Sequence, residues 1–188
     1  MLQILGLLFA ATFAAQTATD LQVKGTFVEP VSKIAFPEHV GEWTRRAVTE
    51  YPWPGGYSVS YRLTEQDITL ADVTGYVYPH VDALMPARRG EHFTFTLKTL
   101  LGANPTWQVL ETTHESVLGR RGPVVRSAAL LRTGMMMDGS PEADALYLQQ
   151  EDGFWIKWRS TMPSATMDAV VPRVRALFDA LIAPRTGD

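Results

Sequence analysis

Leu146-Tyr147-Leu148-Gln149-Gln150-Glu151-Asp152-Gly153-Phe154-Trp155-Ile156-Lys157-Trp158-Arg159 is the stretch that decides the fold class. Two runs of strand-type residues flank a turn, and an Asp-Gly pair between such runs is a hairpin signal. Two registers compete. A two-residue loop, Asp152-Gly153, sets Leu148 opposite Lys157 and Leu146 opposite Arg159. A three-residue loop, Glu151 to Gly153, sets Gln150 opposite Phe154, Leu148 opposite Ile156 and Leu146 opposite Trp158. The second register gathers Leu146, Leu148, Phe154, Ile156 and Trp158 on one face. It leaves Tyr147, Gln149, Trp155, Lys157 and Arg159 on the other. A slip of one residue turns every side chain over, so burial of one apolar face selects the three-residue loop, with Gly153 left-handed. Trp155 then stands exposed beside two cations.

Outward from this hairpin the pattern stays strand-rich. Trp107 to Leu118 and Pro123 to Met136 have strand composition, and Gly119-Arg120-Arg121-Gly122 between them suits a hairpin tip. Asp138-Gly139-Ser140-Pro141 is a further turn. Earlier, Tyr57, Val59, Tyr61 and Leu63 alternate with Ser58, Ser60 and Arg62, a half-buried strand. Pro52-Trp53-Pro54-Gly55-Gly56 separates it from a strand over Glu42 to Tyr51, and Ile68 to Tyr78 is another, ending at Pro79. In Pro86 to Leu101, Phe93, Leu97, Leu100 and Leu101 form a helical stripe with Gly102 as a stop, while Phe93 to Leu97 also alternates like a strand. The helix is preferred because the stripe outruns the alternation. Past the last hairpin, Val170, Val174, Leu177, Phe178, Leu181 and Ile182 form an amphipathic stripe. Pro172 requires that helix to start near Asp168 or to kink, and Pro184 ends it.

Short connections imply a mostly antiparallel sheet, and two amphipathic helices need a partner for their stripes. The expected class is α+β, a sheet covered by two main helices as a sandwich, preceded by a signal-peptide helix. Residues 19–35 read as an arm or lead-in strand, 36–184 as a single domain and 185–188 as a tail.

The chain has 188 residues, with 17 basic and 20 acidic side chains and a net charge of -3. That balance gives no electrostatic footprint for nucleic acid. The absence of cysteine excludes disulfides, thiolate metal sites and thiol catalysis. Residues 1–19 carry no charged side chain, and Leu2 to Ala15 is an apolar run of signal-peptide length, too short to span a membrane. Cleavage after Ala14 or Ala18 fits the small residues there, although the first residues lack Lys or Arg. A buried N-terminal helix and an uncleaved surface anchor are the alternatives, the anchor lacking a basic face. The expectation is a cleaved signal, residues 1–18, and a periplasmic or secreted protein.

The placement of Phe36-Pro37, Trp43, Tyr51, Gly56-Tyr57-Ser58-Val59-Ser60-Tyr61 and Tyr76-Val77-Tyr78-Pro79 is similar to that in small exported bacterial proteins. With the closing Trp155-Ile156-Lys157-Trp158-Arg159 strand and apolar helix, the mature chain resembles the photosystem II extrinsic PsbP proteins and the bacterial DcrB-type proteins. The resemblance covers roughly Ile34 to Ile182 and rests on element order and aromatic placement. It implies an α-β-α sandwich that binds or supports another protein, and it carries over no functional residue.

Signatures of chemistry are absent: there is no Gly-x-Ser-x-Gly elbow, no Ser-x-x-Lys, no P-loop and no dinucleotide fingerprint. His39, His80, His92 and His114 are scattered, with none at metal-site spacing. His80, just past a strand end, is the histidine to check first. Arginine doublets at Arg45-Arg46, Arg88-Arg89 and Arg120-Arg121 offer anion contacts if they converge. Met135-Met136-Met137 reads as gap-filling at a strand end. Trp53, His80, Arg120, Arg121, Trp155, Lys157 and Arg159 are the candidate binding residues, chosen for loop position or for aromatic-cation pairing typical of interfaces. No metal or cofactor is expected. The leading expectation is an exported, non-enzymatic binding or accessory protein with a protein partner. A small-ligand carrier with an aromatic pocket is the alternative, and a hydrolase with a spatially assembled site comes third.

Overall fold

The computed structural model describes residues 18–52, 56–79, 89–119, 122–151 and 154–182. Four two-residue strands come first: β1 (Thr19–Asp20), β2 (Phe27–Val28), β3 (Ala35–Phe36) and β4 (His39–Val40). Three long strands follow, β5 (Trp43–Glu50), β6 (Tyr57–Glu65) and β7 (Ile68–Pro79), then helix α1 (Arg89–Ala103). A second meander, β8 (Gln108–Gly119), β9 (Gly122–Met135), β10 (Pro141–Glu151) and β11 (Phe154–Pro163), leads through a 3-10 turn to helix α2 (Met167–Ile182). The expected signal segment lies, apart from Ala18, outside the described residues, as does the tail. Among the described residues no helix is long and apolar enough to cross a membrane.

The two meanders join at their last strands. The sheet runs β1-β5-β6-β7-β11-β10-β9-β8, with β4 also on β5, and its pairings are antiparallel. The connections are short. Gln66 and Asp67 turn the β6–β7 hairpin with φ of 48° and 66°, the double left-handed geometry of a type I′ turn. Gly139, at φ 82°, turns β9 into β10, and the Asp138 carboxylate accepts from the Ser140 amide at 2.9 Å.

Both helices form where the apolar period predicts them. The buried residues of α2 are Val170, Val174, Leu177, Phe178, Leu181 and Ile182, the stripe read from the sequence. Pro172 sits in its second turn, where it removes only one early hydrogen bond. Helix α1 runs one residue past Gly102, and the Asn104 side chain then donates to the Leu100 carbonyl at 2.8 Å.

The expected class, a sheet covered by two main helices, is corrected. Of the described residues 55% are strand and 23% helical, and one nine-stranded sheet dominates. Eight strands side by side span about 34 Å at ~4.8 Å each. A helix about 10 Å across cannot cover such a face. The α2 face is closed by α2 together with the N-terminal arm, whose Phe27, Ile34 and Phe36 join the same core as Tyr61, Trp158 and Phe178. On the opposite face, Phe93, Leu97 and Leu100 of α1 pack with Leu131, Leu146, Leu148 and Trp155. Each such large apolar side chain contributes about 1.5–3 kcal/mol by leaving water.

The register of the last hairpin is corrected too. Glu151 pairs with Phe154, Leu148 with Lys157 and Leu146 with Arg159, so two residues rather than three separate the paired ends. Gly153 lies outside the described residues. The argument from one dry face fails because both faces of this hairpin bury large apolar side chains. Leu146, Leu148 and Trp155 lie under α1, and Tyr147, Ile156 and Trp158 lie under α2.

Trp158 organises the α2 side. Its ring stacks on Phe178 with centroids 4.5 Å apart and meets Phe36 at 6.3 Å. It pairs across the ladder with Gly75, whose missing side chain leaves room for the indole; a Cβ there would stand 2.3 Å from the ring. Beyond it, the buried Arg126 donates to Asp179 of α2 at 2.8 Å and to Glu115 of β8 at 3.3 Å, tying helix to sheet.

Candidate functional site

Rows of paired residues across the α1 face show where its chemistry changes. One row runs Thr49, Ser58, Tyr76, Lys157, Leu148, Ser127 from β5 to β9. The next runs Ser60, Thr74, Arg159, Leu146, Ala129 from β6 to β9. On β10 and β9 the face is largely apolar and packs with α1. On β5, β6, β7 and β11 it carries hydroxyls, a tyrosine, the Arg62–Asp72 pair and the cations Lys157 and Arg159. The same alternation that buries one half of the face leaves the other half polar, and the seam lies between β11 and β10.

The hydroxyls are tied across strands. Ser60 and Thr74 approach at 3.0 Å, Tyr51 and Ser58 at 3.3 Å, and the Arg62 guanidinium grips Asp72 through two bonds of 2.7 and 2.9 Å. Ser60, Arg62, Thr74, Tyr76, Lys157 and Arg159 are all half-buried, so each keeps part of its surface in water.

The cations stand at the seam. Alternation puts Lys157 and Arg159 on this face of β11, two residues apart. The Lys157 ammonium sits 4.5 Å from the centroid of the Tyr76 ring, and the Arg159 guanidinium 5.4 Å from that of Trp107. Arg159 also donates through Nε, at 3.1 Å, and through Nη2 to Oδ2 of Asp144, whose side chain is fully buried. Asp144 Oδ1, equally buried, has no hydrogen-bond partner among the described residues. Burial pushes the Asp144 carboxyl up to about 6 against the opposing pull of Arg159. Burial, and then the like charge of Arg159, holds Lys157 below its ordinary value. Burial also raises Tyr76.

Of the candidate residues from sequence, Lys157 and Arg159 are brought together on this face. The expectation that Trp155 is an exposed anchor is corrected: it is 0% exposed, with its ring centroid 4.4 Å from that of His92 on α1. The reason is the register, which sets Trp155 beside Tyr78 under the helix. Trp53, His80, Arg120 and Arg121 lie outside the described residues. Reading the sequence missed Asp144, Tyr76 and Trp107. Asp144 did leave a signal, as a charge in the alternating series Asp144, Leu146, Leu148.

The other polar clusters are structural. The His114 Nδ1 lies 2.9 Å from the Ser127 hydroxyl, the contact a nucleophile and base require, yet Ser127 is 1% exposed and its hydroxyl is not presented to a substrate. His92 is buried with its Nε2 2.9 Å from the Tyr78 hydroxyl. Glu29, also buried, accepts from the Val31 and Ser32 amides at 3.0 and 2.5 Å and so fixes the turn between β2 and β3. Among the described residues no three His, Asp or Glu side chains are grouped to hold a metal ion. A hollow beside the N-terminal arm is lined by the charged Asp20, Glu38, Arg45 and Arg46 together with apolar residues such as Leu21 and Val23.

No family model matches the chain. No curated protein matches it either.

Proposed function

We propose that this is a non-enzymatic binding or accessory protein of an exported compartment, periplasmic or secreted, which engages a protein partner through the polar half of the α1 face. The observation that carries the reading is the change of chemistry along one face. The β5–β6–β7–β11 half presents hydroxyls and two ring-backed cations, where the neighbouring β10 and β9 carry apolar side chains packed with α1. A ladder of strands holds these groups rigidly, and preorganised polar contacts around aromatic and arginine anchors are what interfaces use. The uncharged, apolar N-terminal run supports export. The PsbP resemblance of the sequence points to the same kind of role.

A carrier of apolar ligands is less well supported, because Phe93, Leu97, Leu146, Leu148 and Trp155 fill the space between α1 and the sheet. A hydrolase is less well supported, because the Ser127 hydroxyl beside His114 is buried.

The test is site-specific photo-crosslinking in the organism of origin. A photoreactive residue at Ser60 or Arg62 is expected to give one discrete protein adduct, and the same residue at the exposed Lys98 on α1 none. Absence of adducts at both sheet positions, with the protein at its normal level, overturns the reading.

A further inference from the structure

We infer that Lys157, with Arg159 beside it, is a binding site for a single carboxylate. The inference rests on the polar face being the working surface, and it names the chemistry recognised there. Lys157 is half-buried, and among the described residues no carboxylate lies within ion-pair distance of its ammonium and no group accepts a hydrogen bond from it. Its close partners are the Tyr76 ring at 4.5 Å and, along the strand, a like charge.

Withdrawing an ammonium from water is unfavourable. A ring face returns only part of that cost. Three N–H donors therefore stand ready for an anion that arrives from outside. The direction in which the Lys157 pKa moves agrees with a cation short of negative charge.

The neighbours select the anion. The charge of Arg159 is already half-spent on Asp144, so the pair offers little more than one net positive charge. The second oxygen of Asp144, buried and without a partner, opposes a dianion. A planar monoanion fits this balance, with one oxygen on Lys157 and the other toward the remaining guanidinium donors of Arg159. A phosphate dianion does not. The carboxylate has two sources, an acidic side chain of a protein partner or a free small carboxylic acid.

The test uses the purified full chain with side-chain NMR of its lysines, the Lys157 signal being identified by its loss in Lys157→Gln. The probes are sodium acetate, inorganic phosphate and an eight-residue peptide of alternating glutamate and threonine. Acetate is expected to shift the Lys157 signal and phosphate to bind no more tightly. Lys157→Gln is expected to weaken peptide binding about tenfold or more, with Lys98→Gln unchanged. A stability readout is independent of any ligand: Lys157→Met removes a half-buried cation that has no anionic partner among the described residues and is expected to raise the melting temperature.

A peptide that binds about tenfold more tightly than acetate identifies a protein as the source, and equal affinities identify a free acid. Phosphate binding tighter than acetate overturns the assignment. So does an unmoved Lys157 signal, or a Lys157→Met variant that melts lower. If that happens while crosslinks at Ser60 persist, the partner reading stands without this site. If acetate binds and the crosslinks fail, the site stands and the partner reading falls.

Discussion

Gly75→Ala is the perturbation that most directly probes how the sheet is closed. The added Cβ would lie 2.3, 2.5 and 2.7 Å from three atoms of the Trp158 indole. Ordinary carbon contact is about 3.5–4.0 Å, so the overlap exceeds about 1 Å. The obstacle is a rigid ring, fully buried, stacked on Phe178 and bounded by Phe36. Overpacking of a filled core costs about 1–3 kcal/mol, and a clash with an aromatic ring belongs at the upper end. Losing glycine's freedom in the unfolded chain returns about 0.4–1 kcal/mol. The net expectation is a loss of about 2–2.5 kcal/mol. For a chain of this length that lowers the melting temperature by about 4–10 °C. Urea unfolding followed by tryptophan fluorescence measures it. A companion variant, Trp158→Leu, vacates the ring space, so the double mutant is expected to fall short of the summed single losses by at least 1 kcal/mol or so. A Gly75→Ala protein within about 0.5 kcal/mol of wild type, or strict additivity with Trp158→Leu, would refute this account of the core.

Three further outcomes are expected. The Asp144 carboxyl titrates at about 6 when folded and near 3.9 when unfolded. Between those values the folded state holds a proton that the unfolded state has released. Stability therefore falls as pH rises from about 4 to about 6 and is level above; Asp144→Asn should gain on wild type by about 2–3 kcal/mol from pH 4 to pH 8, read by urea unfolding at each pH. Arg126→Ala should cost about 3 kcal/mol, since it empties a fully buried volume and cuts α2 from β8, whereas Arg126→Met should stay within about 1 kcal/mol; equal losses would show that charge rather than volume matters. Trp155→Ala should cost about 3–5 kcal/mol, because the ring is a core group under α1, whereas an exposed tryptophan would cost under about 0.5 kcal/mol.

The sequence located the elements and misjudged how they meet. Strict alternation in Tyr57 to Leu63 and the 3.6-residue period of Val170 to Ile182 are local records of which side chains avoid water, so β6 and the stripe of α2 were legible. The β10–β11 register was not. Its sequence alternates between two apolar sets, Leu146, Leu148, Trp155 and Tyr147, Ile156, Trp158, and either is fit for burial. Choosing between them requires knowing what lies above each face, and that is set by α1, which ends at Ala103 far upstream of Trp155, and by α2, which begins at Met167 beyond the hairpin.

The binding face divides in the same way. Lys157 and Arg159 were visible as cations on a strand, since alternation alone puts them on one face. Their ring partners were not, because Tyr76 and Trp107 reach them through the β7–β11 pairing and the end of α1. By itself the sequence determined periodicity, turn positions and the apolar N-terminal run, which depend on neighbours a few residues apart. Only the tertiary structure decided that two meanders fuse into one broad sheet, that Trp155 is covered, and that half of one face stays polar. Strand pairing and helix docking join residues far apart in the chain, and no local pattern states which distant surface will arrive to exclude water.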